Sequence, residues 1–250
     1  MEKIVLKMDI KWITEQKIAH RGLHNHQLPE NSLGAFANAI KHGFAIELDV
    51  HKIKDGTIVV FHDDDLSRMC HSIKFTEDLT KEELQDYTLL TSKYYIPTLD
   101  EVLNMVNGQV PILIEIKNSK LFHRFAPQVY EVVRNYQGAI AIKSFNPLEV
   151  IWFRKHAPHI PRGMLACYLE NANMPRIYRY LIRSLSLYKS TKPHFISYCM
   201  SDLPNKYVSK YKIPLLTWTI TSKELEAQAL AIADNIIFEG YTPEQSHIGV

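Results

Sequence analysis

Short apolar runs rich in β-branched residues alternate with stretches whose apolar residues recur every three to four positions, and the alternation continues through nearly the whole chain. That rhythm predicts parallel strands joined by helices. Eight runs read as strands, at residues 17–20, 46–50, 112–117, 139–144, 162–166, 194–198, 215–220 and 236–239. Eight such strands close a ring, so the expected fold is α/β, a (β/α)8 barrel. The intervening helices carry start signals. Asn31 and Ser32 can cap a helix whose Leu33, Phe36, Ala37 and Ile40 share one face, with Gly43 placed to end it. Thr80 with Glu83, Thr98 with Glu101 and Thr221 with Glu224 each read as a capping box, and Asn146-Pro147 puts proline at a first helical position.

One extra run breaks the alternation. Residues 58–62 follow the turn dipeptide Asp55-Gly56 and read as a strand antiparallel to the second one. With Asp55 and Gly56 as a two-residue loop, paired positions sum to 111, which sets Asp49 opposite His62 and predicts that Glu47, Asp49 and His62 share a face. Residues 64–97 are the least regular stretch and read as a small insertion lying over the strand ends.

Length and composition narrow the picture. The 250 residues suit one barrel, so a single domain over 1–250 is expected, and the 46% of hydrophobic residues can fill a sizeable core. The net charge of +2 comes from interspersed acids and bases, which gives no reason to expect nucleic acid as a partner. Cys70, Cys167 and Cys199 are odd in number and far apart, which argues against a disulfide framework and a thiolate zinc site and for a reducing cytoplasm. No run resembles a secretion signal or reaches the roughly 18 consecutive apolar residues of a membrane span.

Candidate chemistry gathers where strands end. Glu47 and Asp49, two apart on a strand, point the same way, and Glu115 ends the next parallel strand. Three carboxylates form an all-oxygen set suited to one divalent cation, Mg2+ or Ca2+. His20 and His62 close neighbouring runs and can take and return protons near neutral pH. Arg21 offers a phosphate a planar cationic fork, and Lys117 adds a point charge on the face of Glu115. Together these residues point to hydrolysis of a phosphodiester.

The same residues lie in Ala19-His20-Arg21-Gly22, Pro29-Glu30-Asn31-Ser32, Glu47-Leu48-Asp49-Val50, Lys54-Asp55-Gly56, Phe61-His62-Asp63, Pro97-Thr98-Leu99-Asp100-Glu101, Glu115-Ile116-Lys117, Ser144-Phe145 and Trp218-Thr219. In this order and spacing the chain resembles the glycerophosphodiester phosphodiesterase family over about residues 18–240. The resemblance implies a TIM-barrel hydrolase of lipid and glycerol metabolism that cleaves small-molecule glycerophosphodiesters to sn-glycerol 3-phosphate and an alcohol. It implies acid/base roles for His20 and His62, metal ligation by Glu47, Asp49 and Glu115, and phosphate contact by Arg21 and Lys117. Three departures stand out: Ser32 where the family often has Thr, His51 where glutamine is common and metal or substrate is within reach, and a tail after the last strand that assigns Glu239 no role.

Other readings give different expectations. His24-Asn25-His26 resembles the zinc pair of amidohydrolase barrels, but Ser144, Ala166 and Thr219 stand where that site needs further ligands, so both histidines are expected in a loop near the substrate entrance. A barrel that binds a phosphodiester without turnover would keep the same groups. A phospholipase C-like or lysophospholipase D-like enzyme would keep the chemistry and change the substrate. The basic and apolar residues of 174–192 could meet an anionic membrane, although a crossover helix with basic outer residues is the favoured reading. Phe145 and Trp218 are expected to wall the glycerol or alcohol part of the substrate. Oligomeric state is not legible in the sequence.

Overall fold

Each apolar run becomes a strand because it can bury both faces, one toward the axis of the ring and one toward the surrounding helices. The computed structural model describes residues 10–117, 124–170 and 174–244. Its strands are β1 (Ile18–Ala19), β2 (Ala45–Lys52), β3 (Ile58–Val60), β4 (Ile112–Ile116), β5 (Ile140–Ser144), β6 (Arg162–Ala166), β7 (Phe195–Cys199), β8 (Leu215–Ile220) and β9 (Asn235–Phe238). All but β3 run parallel in the order β1-β9-β8-β7-β6-β5-β4-β2, and β1 pairs with β2 as well as β9. The ring is therefore closed, as the eight runs predict.

Alternation inside the ring separates a dry floor from a polar tier. Ile18, Ala45, Leu113, Ala141, Phe195, Leu216 and Ile237 point inward and pack with Trp12 and Ile13 of the short helix Trp12–Glu15, which closes the floor. Asn235 ties that helix down by donating to the carbonyls of Ile13 and Gln16 at 2.8 and 2.7 Å. Because side chains repeat every second residue, the next inward positions along these strands are His20, Glu47, Glu115, Lys143, Ser197, Trp218 and Glu239. The outer faces, including Ile46, Leu48, Ile112, Ile114 and Ile142, pack on Phe36, Leu99, Val129 and Phe153 from the helices.

The hairpin departs from expectation by one residue. Val50 faces Val60, His51 faces Val59 and Lys52 faces Ile58, so paired positions sum to 110. The loop holds three residues, Lys54, Asp55 and Gly56: Ile53 N–H donates to Thr57 O at 3.0 Å, Gly56 N–H to Ile53 O at 3.0 Å, and Gly56 has φ +91°. A glycine in the left-handed region ends the three-residue type of hairpin loop, whereas the two-residue type needs two residues there. Asp49 thus lies opposite Phe61, whose N–H donates to Asp49 O at 3.0 Å, and alternation does not bring His62 to the acidic face. His62 comes there because the chain leaves the ladder after Val60. Phe61 turns into a cluster with Leu66, Met69, Leu79, Leu84 and Leu89, the local core of residues 64–97.

Helix caps agree with the sequence in most places. Ser32 accepts from Ala35 N–H, Thr98 and Glu101 form their box, Asn146 caps the helix Pro147–His156, and Thr80 and Glu83 cap a 3-10 turn, Lys81–Asp86. Two expectations are corrected. The helix Lys223–Leu230 is capped by Ser222, which accepts from Leu225 N–H at 3.2 Å, and the Thr221–Glu224 box gives way to a helix that begins one residue later. Asn31 does not share the cap with Ser32; at φ +55° it turns its side chain toward Asp49. The helix Arg176–Arg183 crosses between β6 and β7 with none of its residues fully buried, and leaves Ile177 and Tyr180 60% and 46% exposed. No helix among the described residues is long and apolar enough to cross a membrane.

Candidate active site

Glu47 and Asp49 sit two apart on β2, and Asp49 is in register with Glu115 on β4, so three carboxylates converge above the apolar floor. All three are buried, and one oxygen from each lies within 4.8 Å of the others. Three anions this close repel one another unless cations intervene. The protein supplies several. Lys117 Nζ lies 3.2 Å from Glu115 Oε1 and 3.5 Å from Asp49 Oδ1. Arg21 Nε is 3.4 Å from Asp49 Oδ2, its backbone N–H donates to Glu47 Oε2 at 3.1 Å, and Asn31 Nδ2 donates to Asp49 Oδ2 at 3.1 Å. Burial works against the ionised form of Asp49, but Lys117, His62, Arg21 and His20 outweigh it and hold its pKa well below the usual carboxylate range. Glu115 is lowered too: burial opposes, and Lys117 and Lys143 prevail.

Lys143 is absent from the sequence-based candidates. It is buried on β5, in register with Glu115, with Nζ 2.8 Å from Glu47 Oε1 and 2.9 Å from Glu115 Oε2. Burial favours the neutral amine, yet the two carboxylates outweigh it and raise the Lys143 pKa. Lys143 follows Ala141 by two residues in the inward phase of β5, a phase that the register of β5 on β4 establishes.

Both histidines have a carboxylate at Nδ1. His20 Nδ1 lies 2.5 Å from Glu239 Oε2, at the seam where β1 meets β9, and His62 Nδ1 lies 2.7 Å from Asp63 Oδ1. A carboxylate only accepts, so each Nδ1 carries the proton and each Nε2 is left for other chemistry. Hydrogen bonds from His20 and His24 hold the Glu239 pKa far below normal against the effect of burial. His51 is committed elsewhere: its Nε2 donates to His62 O at 3.1 Å, fixing the backbone of the histidine that left the ladder. Arg68, in the irregular segment, links the two flanks. Its Nε donates to Asp63 Oδ2 at 2.7 Å and its two terminal nitrogens donate to Glu30 at 2.7 and 2.8 Å, while Glu30 accepts from Arg21 Nη1 at 2.6 Å.

The tier opens into a cavity of about 640 Å3. His62, Asp63, Arg68, Glu115 and Lys117 give it a polar lining, and Phe145, Leu169, Met174 and Ile182 an apolar one. Trp218 stands edge-on to Phe145, with ring centroids 6.1 Å apart. His24 and His26 line a different hollow, of about 520 Å3, beside Asn38 and Tyr241. Among the described residues the only group of histidines, cysteines and acids placed to hold a metal is the three carboxylates, which leaves the amidohydrolase arrangement without its site.

The model of the glycerophosphoryl diester phosphodiesterase family matches residues 20–235. The chain belongs to this family. Membership makes it a phosphoric diester hydrolase. A glycerophosphodiester phosphodiesterase of Caldanaerobacter subterraneus subsp. tengcongensis is 31% identical over 235 residues, 88% of this chain and 92% of that one. Among solved structures, a Thermotoga maritima glycerophosphodiester phosphodiesterase aligns with TM-score 0.69 and 27% identity over 90% of this chain and 94% of that one. An Oleispira antarctica phosphodiesterase, in complex with its product sn-glycerol-3-phosphate, aligns with TM-score 0.73 over 92% and 95% of the two chains; at 22% identity it speaks for the shared barrel.

Proposed function

We propose that the protein hydrolyses glycerophosphodiesters to sn-glycerol 3-phosphate and an alcohol, with one divalent cation held by Glu47, Asp49 and Glu115 and with His20 and His62 moving the protons. The observation that carries this reading is a buried all-oxygen triad flanked by two histidines, each oriented by a carboxylate on Nδ1. The donors suit a hard cation: three buried carboxylates offer it oxygen alone. Such an ion polarises a phosphoryl oxygen and neutralises charge that builds up in the transition state.

The chain's own groups do the rest. Lys117 and Arg21 bring fixed positive charge to the place where a phosphate would sit above the triad, although Arg21 already engages Glu30 and Asp49. One histidine takes the proton of the attacking hydroxyl at its Nε2, and the other gives one to the leaving alcohol oxygen as its bond to phosphorus breaks. The attacking hydroxyl belongs to water or to the neighbouring glycerol carbon; the second route passes through a cyclic phosphate that water then opens. Phe145 and Trp218 wall the alcohol side. Cys70, Cys167 and Cys199 are free thiols, which supports the cytoplasmic placement expected from composition.

A second reading shares this chemistry and takes a lipid. The apolar wall of Phe145, Leu169, Met174 and Ile182, beside the half-exposed helix Arg176–Arg183, favours an acyl-bearing substrate of the lysophospholipase D type. One assay tests both. Purified protein is given glycerophosphocholine, glycerophosphoethanolamine or lysophosphatidylcholine with Mg2+, Ca2+ or chelator, and sn-glycerol 3-phosphate and free choline are measured. Metal-dependent sn-glycerol 3-phosphate release, lost by about a hundredfold or more in His20→Ala, is expected. Choline release from lysophosphatidylcholine in preference to the glycerophosphodiesters moves the assignment to the lipid substrate, and no turnover under any condition leaves a phosphodiester-binding barrel.

A further inference from the structure

A cation site is defined by how many oxygens its ligands can turn toward the ion as well as by which residues they belong to. Calcium takes about six to eight oxygens in flexible geometry and often uses both oxygens of a carboxylate, whereas magnesium takes six at short range, keeps several waters and is content with single-oxygen carboxylates. Glu47 Oε2 accepts from Arg21 N–H at 3.1 Å and Glu115 Oε1 from Lys117 at 3.2 Å, and the second oxygen of each glutamate is held by a more deeply buried cation. Lys143 Nζ stands between them, 2.8 Å from Glu47 Oε1 and 2.9 Å from Glu115 Oε2. Lys143 is buried and its backbone is fixed in the β4–β5–β6 ladder, so it cannot swing out to solvent as a surface lysine does. For either glutamate to offer both oxygens to one ion, a buried ion pair must break and leave the Lys143 ammonium with one carboxylate in place of two, which is costly. Asp49 is restrained alike, its Oδ2 accepting from Asn31.

We propose that Lys143 is the residue that sets which cation the triad takes: by holding one oxygen of Glu47 and one of Glu115 it confines both to single-oxygen ligation and selects a small six-coordinate ion of the Mg2+ class over Ca2+. The inference rests on the reading that the triad holds a divalent cation. It assigns Lys143 a positioning role, since the ammonium acts through the two glutamates.

The test is calorimetric and needs no substrate. Chelator-treated wild-type protein and Lys143→Met are each titrated with Mg2+ and with Ca2+, after circular dichroism has shown that the variant is folded. Wild type is expected to bind Mg2+ more tightly than Ca2+, and the ratio of the two dissociation constants is expected to move at least tenfold toward Ca2+ in Lys143→Met, where Glu47 Oε1 and Glu115 Oε2 are released to join the ion. Lys143→Gln, whose amide can still donate to one carboxylate, is expected to lie between and stands in if the methionine variant does not fold. Wild type that binds Ca2+ more tightly than Mg2+ overturns the proposal by itself, with no variant needed. So does a folded variant that binds both ions in the wild-type ratio, and in that case the reading of the triad as a cation site survives. If wild type takes up neither ion, that reading fails and the selectivity proposal fails with it.

Discussion

Glu239 shows how much a single side chain at the seam can matter. Its carboxylate accepts from His20 Nδ1 at 2.5 Å and lies 3.5 Å from His24 Nε2, so it fixes the tautomer and the plane of the imidazole proposed for proton transfer. Glu239→Gln keeps the shape but can turn its amide N–H toward Nδ1. We expect kcat to fall about ten- to a hundredfold with KM little changed, and Glu239→Asp to recover part of the loss. A stability loss without that split between kcat and KM would show that Glu239 is merely structural. His194 gives a residue-scale prediction of another kind. Its Nδ1 accepts from Arg162 N–H at 3.2 Å, and burial, helped by the positive charge of Arg162, pushes its pKa down to about 4 from 6.5. The unfolded chain therefore takes up this proton first as pH falls. The contribution of His194 to stability is complete above about pH 6.5 and is lost as pH falls toward about 4, because protonation removes the acceptor. Thermal midpoints measured across that window should fall less steeply for His194→Gln than for wild type.

At the scale of elements, strands were legible because burial on both faces leaves apolar runs that nothing else in a soluble chain resembles; the eight expected runs coincide with the ring to within a residue or two. Glu47, Asp49 and Glu115 were legible for a related reason: a carboxylate that ends such a run is out of place unless it has work to do. Local turns were harder. Asp55-Gly56 suits both a two-residue and a three-residue loop, and the choice depends on whether Lys54 lies in the ladder or in the loop, which the residues themselves do not announce. Lys143 was hidden because a lysine near the end of a strand resembles an ordinary surface residue until the register of β5 on β4 places it across from Glu115. Arg68 was hidden because its partners, Asp63 and Glu30, are 5 and 38 positions away. The displaced cap is open to direct test. Ser222→Ala should cost about 1 kcal/mol of stability in denaturant unfolding, while Thr221→Ala should leave the midpoint within error of wild type. The reverse order would restore the cap to Thr221.

Across the whole molecule, the barrel separates the work of holding together from the work of chemistry. The floor is apolar and closed by Trp12 and Ile13, and the tier above it carries the charges. An ion-pair chain from Asp63 through Arg68, Glu30 and Arg21 to Asp49 binds the irregular segment over the mouth to the triad beneath it. The ring itself is closed by β1, a strand of two residues, lying between β2 and β9. His20 follows β1 and Glu239 follows β9, so the pair at the seam joins residues 219 positions apart. During translation this separation becomes a matter of time. A ribosome that has not yet released residues 235–239 holds a sheet open between β1 and β8 and a His20 with no Glu239 beside it. The pair that orients His20 in the proposed mechanism forms only with the last stave of the barrel, so a product that ends before residue 235 is expected to be inert toward phosphodiesters rather than half active.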